Sequence, residues 1–175
     1  CGLCRSKEGR NRSLLIASLI FYAWGEPKYV LLLMLMAFVS WLCALKIDRA
    51  EAPGIKKLWL WLCVVVDLGL IGYFKYAGLF FRLFGTVPDF IRRITLPIGI
   101  SFYTFQLLSY VIDVYREEVA PQRKFVNLLL YASLFHQCIA GPIVRYQLVA
   151  DEIENRKVKM DELYKGIKRF TIGLA

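Results

Sequence analysis

Residues 94–112 read ITLPIGISFYTFQLLSYVI, nineteen positions without one charged side chain. A run of that length and polarity matches the roughly 20 apolar residues needed to cross about 30 Å of hydrocarbon. Working outward, residues 29–45 are also uncharged, and 58–74 carry only Asp67. The chain is 58% hydrophobic and 21% charged over 175 residues, with a mean hydropathy of +0.49. Soluble domains run nearer 25% charged, so a soluble enzyme, a disordered tail and a collagen-like chain are all excluded. The runs lack the alternation of barrel strands, and open sheet edges cannot face lipid. The sequence therefore predicts an all-α, polytopic transmembrane helical bundle, a single domain over 1–175.

Six apolar blocks make up that bundle, at 14–24, 29–45, 58–76, 96–115, 125–140 and 163–175. The first is too short to span unaided and must enter partway or borrow its neighbours. Gly25-Glu26-Pro27-Lys28 breaks it, since proline removes a donor and clashes with the preceding turn. Tyr22, Trp24 and Tyr29 flank that break as an interfacial belt. The stretch 78–93, GLFFRLFGTVPDFIRR, is too charged to span and reads as an interfacial or re-entrant segment. Block four starts at Leu96-Pro97 with Thr95 as N-cap. Gly141-Pro142 stops block five, either as a re-entrant turn beside a cavity or as an ordinary helix end. Block six begins near Leu163 and breaks off as it starts. The first residue is Cys1 and the last is Ala175. The chain therefore reads as an internal piece of a longer protein, with no signal peptide ahead of its basic start.

The net charge of +9 comes from residues between the blocks, where headgroup attraction and the positive-inside bias place them. No basic face interleaves with exposed aromatics, so nucleic acid is not the partner; the bilayer is. Under strict alternation one side collects eleven Lys and Arg against nine on the other, a bias that only leans residues 1–13 toward the cytoplasm. Five cysteines form no framework: Cys43, Cys63 and Cys138 sit in apolar runs, and the Cys1/Cys4 pair has no companion pair to make a zinc site.

Chemistry concentrates in block four. At about 100° per residue, Gly99, Phe102, Tyr103, Gln106, Ser109, Tyr110 and Asp113 fall within about 60° of Gln106. Thr104 lies on the opposite side. Such a polar stripe exposed to lipid would cost several kcal/mol per unpaired group. It is expected to face the bundle, either as interhelical hydrogen bonds or as the lining of a passage. Block five offers Ser133 and Gln137 on a smaller polar face, followed by Arg145. Gln106, Asp113, Gln137 and Arg145 are thus the candidate cavity-lining residues. Arg145 can attract an anion or simply snorkel to the interface. His136, the single histidine, lies off the polar face without triad partners, so a catalytic role is not expected. Asp67 requires a basic partner or its own proton to be buried, and a proton relay is the functional alternative. No phosphate loop, metal-ligand cluster or paired catalytic carboxylates occur.

Five runs carry a family resemblance: Phe21-Tyr22-Ala23-Trp24-Gly25-Glu26-Pro27; Gly72-Tyr73-Phe74-Lys75-Tyr76-Ala77; Leu96-Pro97-Ile98-Gly99-Ile100-Ser101-Phe102-Tyr103-Thr104-Phe105-Gln106; Ser109-Tyr110-Val111-Ile112-Asp113-Val114-Tyr115-Arg116; and Ile139-Ala140-Gly141-Pro142-Ile143-Val144-Arg145-Tyr146. Together they resemble the membrane-bound O-acyltransferase family, in its alginate O-acetyltransferase branch. The chain looks like an N-terminal part of such a protein, beginning after the family's first membrane helix. The resemblance implies a multi-pass bacterial inner-membrane enzyme that passes acetyl groups from a donor such as acetyl-CoA toward extracytoplasmic polysaccharide hydroxyls. It also implies partner proteins that complete the transfer. The family's hallmark histidine lies downstream of the region seen here. His136 stands where relatives usually carry proline, so it does not inherit that role, and this fragment alone is expected to be inactive. From another class, a transporter or channel subunit is the competing expectation, since broken helices and buried polar groups occur there too.

Overall fold

The computed structural model describes residues 7–83, 85, 95–134, 144–155 and 160–174. Among the described residues the secondary structure is entirely helical: α1 (Lys7–Gly25), α2 (Val30–Arg49), α3 (Pro53–Ile71), a π-helical turn (Gly72–Tyr76), α4 (Ala77–Leu83), α5 (Ile100–Tyr115), α6 (Phe125–Ser133), α7 (Tyr146–Asn155) and α8 (Met160–Leu174). Two helices are long and apolar enough to cross a membrane. They are Val30–Arg49 and the continuous run Pro53–Leu83, which contains α3, the π turn and α4.

Several boundaries differ from expectation for local reasons. Block one belongs to a 19-residue helix that begins in the charged residues at Lys7, so α1 borrows from its polar flank. Pro53 opens α3 at its first helical position, where the missing N–H costs nothing. The chain then runs past Tyr76 to Leu83, so the first part of the predicted interfacial stretch continues α3 instead of forming a separate element. Gly85 follows α4 with φ +86°, a conformation that favours glycine, and its N–H bonds the Arg82 carbonyl at 3.2 Å. Block four starts four residues late. Gly99, at φ +77°, is the N-cap of α5, while Thr95 is occupied by Tyr29, whose hydroxyl donates to the Thr95 carbonyl at 2.8 Å.

Block five is described only as far as Leu134, and its residues 135–140 lie outside the described residues. α6 ends at Ser133, because Leu134 turns to ψ 116°. Nine residues rise about 14 Å, roughly half the hydrocarbon thickness. The two outer ends of the α6–α7 pair lie together. Asn11 Nδ2 donates to the Ile153 carbonyl of α7 at 2.8 Å and to Asn127 Oδ1 in the first turn of α6 at 3.4 Å. Strict alternation would have put residues 145–162 at the opposite end of the bundle. The last turns of α7 instead return to the end where α1 begins.

The core is formed by α2, α3 and α5 packed mutually, with α6 laid against α1 and α2 and α7 against α6. At one end, Lys56 pairs with Glu117 at 2.7 Å and Lys124 with Glu8 at 2.6 Å. At the other, the Tyr22 hydroxyl donates to the Ile98 carbonyl at 2.9 Å. The outer faces of α2 and α3 stay apolar and open: Leu31, Leu35, Phe38, Trp61, Val65 and Leu68 are exposed.

Candidate functional site

A polar seam runs where α5 meets α6, α7 and the loop before α6. Its α5 side is the stripe seen in the sequence: Tyr103, Gln106, Tyr110 and Asp113 are all buried, while Phe105 and Ile112 face outward. Gln106 Nε2 donates to the Tyr131 carbonyl in the last turn of α6 at 3.2 Å. That carbonyl is one of the four at a helix end without an intrahelical partner, so the amide of Gln106 caps a helix that stops inside the bundle. Ser109 Oγ bonds back to the Gln106 carbonyl at 2.8 Å.

Three tyrosines close the seam. Tyr146, at the start of α7, sits edge-on to Tyr110 with centroids 5.0 Å apart and to Tyr131 at 5.2 Å. The Tyr131 hydroxyl donates to the Val144 carbonyl at 2.7 Å, fastening the start of α7 to the side of α6. Gln122 ties the rest. Its backbone N–H donates to Tyr110 Oη at 2.9 Å and its Nε2 to Tyr146 Oη at 2.7 Å. Its Oε1 accepts from the Lys124 N–H at 3.0 Å, and its carbonyl accepts from Trp41 Nε1 at 2.8 Å. Asp113 completes the row, buried, with Oδ2 lacking a hydrogen-bond partner among the described residues.

The sequence candidates separate accordingly. Gln106 and Asp113 come together on the seam. Arg145 is exposed, next to Val144 and Tyr146. Gln137 and His136 lie outside the described residues. Thr104, expected opposite the stripe, is fully buried: its hydroxyl donates to the Ile100 carbonyl at 2.6 Å, with Met36 Sδ of α2 4.0 Å away. Sequence reasoning missed Gln122 and the pairing of Tyr131 with Tyr146. The only signal for Gln122 was its place after Pro121 in a loop otherwise charged.

A second polar site joins α2 to α3. Asp67 is fully buried, and its Oδ2 accepts from Cys63 Sγ at 3.4 Å; Cys63 Sγ also lies 3.8 Å from Ser40 Oγ. Among the described residues no Lys or Arg pairs with Asp67, and no group of three or more His, Cys, Asp or Glu is placed to hold a metal.

A cavity of about 340 Å³ opens at the charged end, lined by Ile47, Asp48, Lys56, Val114, Glu117 and the chain from Val119 to Pro121. Val114 links it to Asp113, one residue along α5. Its Lys56–Glu117 edge is solvated, as is the Lys124–Glu8 pair at the same end. Hydrogen bonding from the Lys56 ammonium holds the Glu117 carboxyl below the usual carboxylate range. The same interaction from Lys124, with the Arg12 charge added, lowers that of Glu8.

With its bilayer-length apolar helices and inward polar seam, this chain is homologous to the O-acetyltransferases of the membrane-bound O-acyltransferase-like group, as comparison with known proteins shows. It is 37% identical over 94% of its length to "Probable alginate O-acetylase AlgI" of Pseudomonas syringae and, to the same extent, to that of Pseudomonas aeruginosa. It is 30% identical over 92% of its length to "Peptidoglycan O-acetyltransferase" of Helicobacter pylori. The chain spans about a third of the curated relatives' length, 33% of the two alginate proteins and 36% of the third. No protein-family model and no solved structure matches it.

Proposed function

We propose that this chain is a membrane-embedded segment of an O-acetyltransferase that moves acetyl groups toward extracytoplasmic polysaccharide hydroxyls. The relationship to the alginate and peptidoglycan O-acetylating proteins over nearly the whole chain carries the reading. The bundle is polytopic and sits in the bacterial inner membrane. Acetyl-CoA is the donor, and partner proteins finish the transfer to sugar. The reacting histidine comes from outside this chain, which contributes part of the wall of the passage.

The return of α7 to the charged end supports an orientation. That end gathers ten Lys and Arg from the flanks of α1, α2, α3, α5 and α6, against Lys28, Lys75, Arg82 and Arg145 elsewhere among the described residues, α8 aside. The positive-inside bias assigns the charged end to the cytoplasm, so the cavity beside Lys56 and Glu117 faces the donor's side.

The seam supplies rigid support. Transfer to a hydroxyl needs a general base or acyl carrier held within hydrogen-bond reach of its target. A helix end pinned by Gln106, Gln122 and three tyrosines places fixed backbone where a group can be so held. Deleting the gene for the full-length protein tests the assignment. Acetyl ester content of the extracytoplasmic polysaccharide should fall to background and return on complementation. Unchanged ester content in the deletion strain contradicts it.

A further inference from the structure

Helix α8 touches no other described element, and its described side chains are exposed throughout. At about 100° per residue, Met160, Leu163, Tyr164, Ile167 and Phe170 share an arc of about 120°. Each is between 47% and 78% exposed. Lys165, Lys168 and Arg169 occupy the opposite side, centred about 150° away, where the spacing also puts Asp161 and Glu162. The Thr171 hydroxyl, also on the apolar arc, bonds back to the Ile167 carbonyl at 2.9 Å. Ile172 alone breaks the separation.

This pattern differs from that of α2 and α3. Those helices are apolar on nearly every side, whereas α8 sets charged residues along one side and an apolar stripe along the other. A segregated apolar stripe with Lys and Arg behind it is the design of a helix lying in the plane of the interface. The basic side chains then meet lipid phosphates, and Tyr164 takes the headgroup level that tyrosine favours.

We infer that α8 docks flat on an anionic lipid surface, its Met160–Phe170 stripe in the acyl boundary and Lys165, Lys168 and Arg169 on the headgroup phosphates. The inference rests on the membrane reading of the bundle, so its test carries an internal control for that reading. The full-length protein is reconstituted in nanodiscs of phosphatidylcholine containing phosphatidylglycerol, and in phosphatidylcholine alone. A bilayer-soluble diazirine is then photolysed and the labelled residues are mapped by mass spectrometry. Val65 of α3 should be labelled equally in both lipids.

Tyr164, Ile167 and Phe170 should be labelled at least about tenfold more with phosphatidylglycerol present, because each basic residue strengthens attachment to anionic lipid several-fold. The triple variant Lys165→Gln, Lys168→Gln, Arg169→Gln should lose that difference. Labelled Val65 with unlabelled α8 in both lipids overturns the inference and shows α8 in water or packed on protein. Equal labelling of α8 in the two lipids overturns its anionic preference. An unlabelled Val65 contradicts the membrane reading itself.

Discussion

Gln106 Nε2 and the Tyr131 carbonyl oxygen lie 3.2 Å apart, so the middle of α5 caps a helix that ends half-way through the bundle. Two magnitudes bear on this contact. Interhelical hydrogen bonds in membranes average about 0.6 kcal/mol. A buried carbonyl left without a donor costs about 1–3 kcal/mol, and Gln106→Leu creates that second situation. It should destabilise the protein by roughly 1–2 kcal/mol, measured by thermal unfolding in detergent, while Phe105→Leu on the open face should stay within about 0.5 kcal/mol. Equal losses would remove the capping role.

Gln122 uses its backbone N–H, its carbonyl and both side-chain atoms. Gln122→Ala leaves Tyr146 Oη without its amide donor and frees the loop at Lys124. A cost of about 2–3 kcal/mol is expected, against near neutrality for Gln147→Ala on an exposed turn of α7. Chemical denaturation in mild detergent checks the difference.

Asp113 tests the seam in the full-length protein. Asp113→Leu should lower acetyl transfer at matched expression, and Phe105→Ala should leave it within about twofold, since lone exposed positions seldom matter. Thr104→Leu is no control for this comparison. Thr104 is enclosed between α5 and Met36, so the larger side chain overpacks the core by about 1–3 kcal/mol.

The two solvated salt bridges set a pH response. Glu8 and Glu117 are held below the ordinary carboxylate range by hydrogen bonds from Lys124 and Lys56. A depressed folded value contributes stability above the unfolded pKa, and that stability is lost as pH falls through the folded one. The melting temperature should therefore be flat near pH 7 and decline below about pH 4.5. The double variant Glu8→Gln, Glu117→Gln should show a shallower decline. An unchanged slope would assign the acid sensitivity to other carboxylates.

The apolar blocks and the stripe on α5 were legible in the sequence because both are periodic. Spacing alone puts Tyr103, Gln106, Tyr110 and Asp113 on one face, and burial agrees. Periodicity does not report enclosure: Thr104 lies off the stripe, as its spacing requires, yet is buried against Met36. α5 is covered on nearly every side, leaving Phe105 and Ile112 open. The α6–α7 pairing was illegible because it depends on contacts more than a hundred residues apart, from Asn11 to Asn127 and Ile153. The π turn at Gly72–Tyr76 has no sequence pattern of its own.

Vectorial acetyl transfer tests the central claim most directly. Membrane vesicles enclosing acceptor polysaccharide, with the full-length protein and its partner proteins in the bilayer, receive labelled acetyl-CoA outside. Label should accumulate in the enclosed polysaccharide when the Lys56–Lys124 end faces outward, and not in vesicles of the opposite orientation. Transfer only when donor and acceptor share one side, or none in either orientation, would contradict a bundle that carries acetyl groups across the membrane.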